Sequence, residues 1–248
     1  MSVDAGNPLK AYYERTAHRF WEADAGLVGR DAIVYPLLAG LRGTVLEYGC
    51  GAGSLLLSLA GEERFERAIG VDISEAALSK VQATLQRAPA ALGQKTVLMQ
   101  PNADRLPQIA DRSVDLIISV ATIEHVLDPY RVLDELHRIA RDDATLVCSV
   151  PNYAYLKHRV RLLFGELPRT GTDEPVASWR EAGWDGMHLH TFTQSAFATL
   201  LADCGWRPLE WTGWGDRFGW LRGLRQRFPG LLSGEIIARC AKQPGRGS

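Results

Sequence analysis

The chain has 248 residues, of which 46% are hydrophobic and 23% charged, and its formal net charge is −1 at pH 7. That length and balance suit one large globular α/β domain, and a near-neutral charge excludes a global basic field that would draw the chain to nucleic acid or an anionic membrane. The longest apolar stretches, such as Ala32–Leu41, are too short to span a bilayer, and Met1–Lys10 lacks the basic-then-apolar layout of a signal peptide, so the expected location is cytoplasmic.

In chain order, Leu9–Leu27 is predicted to form an amphipathic helix ahead of the first strand. Thr44–Tyr48 is a short β-rich run that ends in a glycine-rich turn, with a helix from Ser54 to Leu59. Ala68–Asp72 is the second strand, and Ser74 caps a helix running to Gln86. Thr96–Met99 follows as the third strand. Val114–Val120 is almost continuously apolar, as a central parallel strand covered on both faces is. A helix over Pro129–Asp143 puts Val132, Leu133, Leu136 and Ile139 on one face. Ala144–Val150 is the fifth strand, stopped by Pro151. This alternation predicts an α/β fold with a doubly wound parallel sheet.

After Pro151 the rhythm breaks. Tyr155–Phe164 reads as a basic amphipathic helix, and Gly165–Gly186 is loop-rich. The pattern resumes with a helix over Thr193–Cys204 and strands over Arg207–Thr212 and Glu235–Ala241. The interruption is too long for a simple connection. Residues 151–190 are therefore read as an inserted helical and loop lid over the carboxyl ends of the strands, the edge where open α/β sheets bind ligands.

The glycine turn carries the first chemical clue. Its glycines are Gly49, Gly51 and Gly53, and Ser54 stands where a dinucleotide fingerprint has its third glycine, so GxGxxG fails. Glu47 sits at the strand end. A carboxylate there repels a pyrophosphate and attracts an ammonium group. Asp72 ends the second strand about 20 residues further on, placed to accept hydrogen bonds from ribose hydroxyls. The combination favours a nucleoside that carries positive charge over one that carries phosphates. S-adenosylmethionine, with an adenosine, an α-ammonium and a sulfonium, fits.

These residues resemble the class I S-adenosylmethionine-dependent methyltransferases. Glu47–Gly53, with Gly49, Cys50, Gly51 and Gly53, resembles their first motif, and Gly70–Ser74, with Asp72 and Ile73, their second, whose acid holds the ribose. Asn102–Pro107 resembles the third, with Asp104 and its neighbours Asn102 and Ala103 at the adenine edge. Asp115–Pro129 resembles the fourth-strand motif, with backbone near Val120 and Ala121 lining the methionine moiety. The resemblance covers residues 40–152 and, more loosely, the whole chain. It implies a Rossmann-like doubly wound seven-stranded sheet whose last strand is antiparallel, and S-adenosyl-L-methionine as cofactor. It also implies an N-terminal aromatic helix closing over the cofactor through Tyr13; core packing of Tyr12 and Tyr13 is the plainer alternative. The expected organisation is a single domain over 1–248: an N-terminal helical cap (1–40), a cofactor-binding core (41–150), an acceptor lid (151–190), and a C-terminal helix with the last two strands (191–248).

For the acceptor side, His188–Trp206 resembles a segment of small-molecule and glycan methyltransferases in which a histidine precedes an aromatic and a Thr-capped helix. His188 is a candidate to face the methyl group and accept a hydroxyl proton. Packing of His188 or His190 at a helix start is the alternative. His125, just after the fourth strand, is a second candidate, against a purely structural hydrogen bond. No metal is expected, because no carboxylate or cysteine motif accompanies His188 and His190. Cys50 reads as a small residue between glycines and not as a redox group. The 4 cysteines, Cys50, Cys148, Cys204 and Cys240, stand far apart and are expected to be reduced thiols.

Basic stretches at Leu156–Gly165 and Asp216–Leu232 suit either a solvated helix face or a grip on a phosphorylated or lipid-linked acceptor. The second mixes Phe218, Trp220, Leu221, Leu224 and Phe228 with Arg217, Arg222, Arg225 and Arg227. Trp206, Trp211, Trp214 and Trp220 read as core or contact residues before a sugar platform. The favoured function is methylation, on oxygen, of a small-molecule or glycan-type acceptor, with no nucleic acid, and with lipid or membrane contact at 216–232 as the alternative to a solvated helix face. One alternative is a non-catalytic or regulatory protein on the same fold, because Ser149–Pro168 is loosely similar to methyltransferase-like proteins of methionine biosynthesis. Another is a nucleotide-linked oxidoreductase, against which Glu47 and Ser54 argue. No oligomeric state is read.

Overall fold

The computed structural model describes residues 8–16, 27, 29–171, 176–215 and 222–243. In chain order the elements are α1 (Pro8–Thr16), α2 (Asp31–Val34, running into a 3-10 turn at Tyr35–Leu38), β1 (Gly43–Tyr48), α3 (Ser54–Ala60), β2 (Phe65–Val71), α4 (Glu75–Arg87), α5 (Ala90–Lys95), β3 (Thr96–Met99), β4 (Val114–Val120), α6 (Pro129–Ile139) and β5 (Ala140–Pro151). There follow α7 (Leu156–Leu163), α8 (Trp179–Ala182), α9 (Gln194–Asp203), β6 (Trp206–Trp214), α10 (Arg222–Arg227), α11 (Pro229–Leu232) and β7 (Glu235–Lys242). The strands form one 7-stranded sheet in the order β3-β2-β1-β4-β5-β7-β6. The last strand, β7, enters between β5 and β6 and runs antiparallel to β6, as the resemblance implied.

The chain divides into two compact units, Met1–Ser119 with Arg138–Thr145, and Val120–His137 with Leu146–Ser248. In the first, β1 pairs in parallel with β2 on one side and β4 on the other, so Val45 lies between Ala68 and Leu116. Because these strands are covered on both faces they read as apolar runs, and Val45, Leu46, Ile69, Leu116, Ile117 and Ile118 are all buried. Gly70 is required by packing: a Cβ there would stand 2.6 Å from Leu56 Cδ2. The Ser74 hydroxyl caps α4 by accepting from Ala77 N at 3.1 Å. Glu14 of α1 adds a second cap, accepting from Glu75 N at 2.6 Å and Ala76 N at 3.0 Å. A carboxylate suits the positive end of a helix dipole, and this one fastens α1 to α4.

In the second unit, α6 buries the predicted Val132, Leu133 and Leu136. Trp206 is fully buried, and its indole N–H donates to Leu133 O at 3.3 Å, so this tryptophan is core. Thr193 caps α9 by accepting from Ala196 N at 3.2 Å.

The structure departs from the sequence expectations in particular places. The helix predicted to reach Asp143 ends at Ile139, and β5 begins at Ala140. Arg112 N and Ser113 N bond to the carbonyls of Arg138 and Ile139, and Arg141 pairs with Asp115 at 3.3 Å, which draws the chain into the sheet early. Residues 17–26 of the predicted first helix lie outside the described residues, as do Arg217, Phe218, Trp220 and Leu221. Arg225 is buried and donates to Gly215 O at 2.8 Å, so this basic residue is part of the packing. All 4 cysteines are free and buried. Among the described residues no helix is long and apolar enough to cross a membrane.

Candidate functional site

The glycine turn follows β1. Gly49, Gly51 and Gly53 have φ of 79°, 51° and 80°, a region that glycine enters without a Cβ penalty. Gly49 N and Cys50 N both donate to Val71 O, at 2.7 and 3.0 Å, and Gly53 N donates to Cys50 O at 2.8 Å. Gly51 N donates to Asp72 Oδ2 at 2.8 Å, while Asp72 Oδ1 accepts from Ser74 N at 2.9 Å. These amides therefore stitch the turn to the end of β2. They do not form the outward-pointing cradle that a pyrophosphate needs, which disfavours the dinucleotide alternative. No atom lies within 4 Å of where a Gly51 Cβ would stand, so the turn's backbone is approachable there.

The site is acidic. Glu47 is buried, and burial first, then the charges of Asp31 and Asp72, raise its pKa well above the ordinary 4.5 against a lowering bond from Leu56 N–H. Its Oε2 is buried with no hydrogen-bond partner. Burial likewise raises Asp72, with a Coulomb contribution from Glu14, while the N–H groups of Ser74, Gly51 and Ile73 pull it back. The Cys50 thiol is pushed well up by burial and by Asp72 and Glu47, which leaves it protonated and inert. Ile73 contributes its carbonyl, which accepts from Gln100 Nε2 at 2.8 Å. Tyr13 is half-buried on α1, with its ring edge-to-face with Tyr12 at 5.2 Å.

Asn102 and Arg105 exchange backbone bonds at 2.8 and 3.0 Å, closing a tight turn around Ala103 (φ 48°) and Asp104 (φ 65°). Both central residues have positive φ, as in a type I′ turn, and for alanine that is a strained choice of the kind found at ligand sites. Ala121, just past β4, also has positive φ, at 48°, and its N–H donates to Ser149 O at 3.2 Å and Oγ at 3.1 Å. Ser149 Oγ in turn donates to buried Glu235. Val120, the last residue of β4, is half-buried.

In the second unit the structure brings His125 and His188 together, with ring centroids 4.7 Å apart and edge-to-face. Both Nε2 atoms lie 3.9 Å from the same oxygen, Oε1 of fully buried Glu124. His125 Nδ1 is 3.0 Å from Met187 O, and since a carbonyl only accepts, Nδ1 carries the proton. The Thr170 hydroxyl donates to Asp185 Oδ2 at 2.7 Å, so it accepts from His188 Nδ1 at 2.8 Å. In each imidazole Nδ1–H is thus engaged, and Nε2 stands beside the Glu124 carboxylate. His190 instead donates from Nε2 to Val126 O at 2.9 Å and is a structural tie. An open groove of about 590 Å³ in the same unit is lined by Arg159, Arg227, Trp211 and Phe228 among others.

Residues 15–210 match the methyltransferase domain family. The chain belongs to that family. A probable S-adenosylmethionine-dependent methyltransferase of Mycobacterium tuberculosis (strain H37Rv) is 29% identical over 220 residues, covering 87% of this chain and 68% of that protein. The ubiquinone biosynthesis O-methyltransferase of Pseudomonas paraeruginosa is 29% identical over 150 residues, covering 57% of this chain and 62% of its own length. Among solved structures, the fold is similar to a chain of the complex between the Haloferax volcanii Trm112 methyltransferase activator and a methyltransferase, with TM-score 0.66, 17% identity, and 97% and 100% of the two chains covered. It is also similar to a methyltransferase of Thermotoga maritima described as a possible histamine N-methyltransferase, with TM-score 0.58, 18% identity, and 95% and 100% covered.

This methyltransferase uses S-adenosylmethionine as its cofactor. The residues present fit it: Glu47 offers a buried, unpartnered carboxylate oxygen to an ammonium, and the turn lacks a phosphate cradle. Sequence reasoning missed Glu14, Glu124, Thr170 and Asp185. Glu124 had a signal, an acid directly before His125 in an otherwise apolar IEHV run. Thr170 and Asp185 had none, because their roles arise only when the loop folds back on itself.

Proposed function

We propose that this methyltransferase methylates an oxygen of a small-molecule or glycan-type, lipid-linked biosynthetic intermediate. The observation that carries the reading is the pair of imidazoles fixed through Nδ1 with Nε2 beside buried Glu124. An acceptor hydroxyl must lose its proton, and a neutral imidazole backed by a carboxylate is built to take it; an amine acceptor has less need of one. His188 is the proposed base, its tautomer held by Thr170 and Asp185, and His125 the positioning partner. The similarity to a ubiquinone biosynthesis O-methyltransferase supports oxygen as the target atom. The groove with Arg159, Arg227, Trp211 and Phe228 supports an acceptor that joins negative charge to an apolar body.

On the cofactor side, Glu47 takes the ammonium and Asp72 the ribose, while Asn102, Ala103 and Asp104 meet the adenine edge. Gly49, Cys50, Gly51, Gly53, Ile73, Val120 and Ala121 supply backbone, and Tyr13 covers the site. Asp72 already accepts two backbone bonds, yet a carboxylate has about four lone-pair sites, which leaves room for ribose hydroxyls. Bound S-adenosylmethionine supplies the methyl group on a sulfonium carbon. The protein's own part is to align the acceptor oxygen and remove its proton. Residues 151–190 are the proposed acceptor lid within a single functional domain.

Carbon-13 NMR of product made with methyl-labelled cofactor tests the target atom. A methoxy carbon is expected; an N-methyl or C-methyl carbon overturns the reading. His188→Gln should lower kcat without changing cofactor affinity. Asp72→Ala should weaken cofactor binding in calorimetry, and unchanged affinity would remove the ribose assignment.

A further inference from the structure

We infer that Glu124, His125 and His188 form a binding site for one divalent transition-metal ion, of the zinc, cobalt and manganese class, which holds the acceptor oxygen. The inference rests on the reading that this cluster serves the acceptor, and it deepens that reading. Among the described residues these three bring one ligand atom each to within 4.8 Å of one another. The two Nε2–Oε1 separations are 3.9 Å, too long for a hydrogen bond. Two ligands of a tetrahedral zinc site stand about 3.3 Å apart at ordinary bond lengths, so a contraction of roughly half an ångström brings each Nε2–Oε1 pair to that spacing.

The surroundings are those of a metal site. Both imidazoles are engaged through Nδ1–H, which leaves Nε2 as the nitrogen that would ligate an ion. The Nδ1–H groups donate to a backbone carbonyl and to a threonine hydroxyl that is itself held by a carboxylate. Asp185 is locked in turn, its Oδ1 accepting from Thr170 N at 3.0 Å and Gly171 N at 3.1 Å. Leu189 N and His190 N both donate to Glu124 O, at 2.8 and 3.1 Å, which clamps the His188 segment to the Glu124 segment. Asp185, Gly186 and Met187 all have positive φ, at 43°, 66° and 64°. That is strained backbone for two side-chain-bearing residues, of the kind sites hold at a cost. The strain places Met187 O on His125.

Burial argues for a cation as well. The Glu124 side chain is 0% exposed, His188 7% and His125 19%. A buried carboxylate is costly unless positive charge stands close by, and an ion held between the two Nε2 atoms and Glu124 would add it. Two nitrogen donors in three select against magnesium and calcium, which prefer all-oxygen shells. Three protein ligands leave at least one position open, as in catalytic zinc sites. A hydroxyl oxygen bound there gives up its proton to bulk water near neutral pH, because the ion lowers its pKa. His188 then holds the ion, and in the metal-free protein it is the base.

The test strips the full-length protein with a chelator and titrates it with Co²⁺, reading the visible absorption bands and the stoichiometry by elemental analysis. One Co²⁺ per chain is expected, displaced by Zn²⁺ and not by millimolar Mg²⁺. Glu124→Gln and His188→Gln should each bind at least about 100-fold more weakly. Thr170→Val, which keeps all three donors, should lose roughly 10–100-fold, as supporting residues of metal sites do. A cofactor-induced thermal shift equal to wild type shows that each variant is folded. Absence of saturable Co²⁺ binding, or equal binding by folded Glu124→Gln, overturns the site. That failure together with a methoxy product leaves O-methylation standing; Co²⁺ binding with an N-methyl product supports the site and removes the oxygen assignment instead.

Discussion

Glu47 is a carboxylate in the wrong place for the stability of the cofactor-free enzyme, and the proposed ammonium contact would account for it. Burial, Asp31 and Asp72 raise its pKa well above 4.5. The folded protein therefore holds this proton more tightly than the unfolded chain. The stability it contributes is full below the ordinary carboxylate pKa and is lost as pH rises through the raised value. Asp72, raised in the same direction, adds to the trend. Glu47→Gln should accordingly raise the apo melting temperature at pH 7 by a few degrees and flatten its fall with pH, as followed by calorimetric scans. The same variant should bind S-adenosylmethionine at least about 10-fold more weakly, since a charge-assisted bond is lost. Wild-type affinity should increase as pH rises from the ordinary carboxylate range, because an ammonium ligand displaces the Glu47 proton. A variant with lower stability and full affinity would show that Glu47 is a packing residue.

At the scale of elements, two local devices hold the proposed site residues in place. Glu14 caps α4 from α1 through Glu75 N and Ala76 N. Its loss in Glu14→Ala should cost about 1 kcal/mol in urea unfolding, the usual worth of a cap, and should speed amide exchange at Glu75 and Ala76; unchanged exchange would mean that α1 is fastened elsewhere. The second device is the loop around His188. A Cβ on Gly171 would stand 2.0 Å from Asp185 O, so Gly171→Ala must push Asp185 away from Thr170. Methyl transfer should fall by about 100-fold, the scale of a 1 Å misplacement, with cofactor affinity intact in calorimetry. The contrast between these devices explains what the sequence made legible. Strands β1 to β4 and the caps Ser74 and Thr193 were readable because each depends on neighbours in sequence. The turn at Asp185–Met187 was not, because its conformation is fixed by Gly171 and Thr170 across the loop. For the same reason the sequence showed two histidines and no metal signature, while folding set Glu124 between them. Glu14 was hidden because a glutamate on an amphipathic helix ordinarily faces solvent.

For the whole molecule, cofactor binding and folding are linked. S-adenosylmethionine at 100 times its Kd adds about 2.7 kcal/mol to stability, which for a chain of this size is a rise of roughly 5–10 °C in melting temperature. NAD should give no shift, since the amides of the glycine turn are spent on Val71 and Asp72. The central claim is that this chain transfers a methyl group to a small-molecule or glycan-type oxygen. The measurement that tests it most directly is transfer from methyl-radiolabelled S-adenosylmethionine into host extract, separated into small molecules, lipids, glycans and macromolecules. Label is predicted in the small-molecule, lipid or glycan fraction, dependent on His188. Label confined to protein or nucleic acid, or no label in any fraction from a protein shown to bind the cofactor, would contradict the account; the second result would point to a methyltransferase fold kept for regulation.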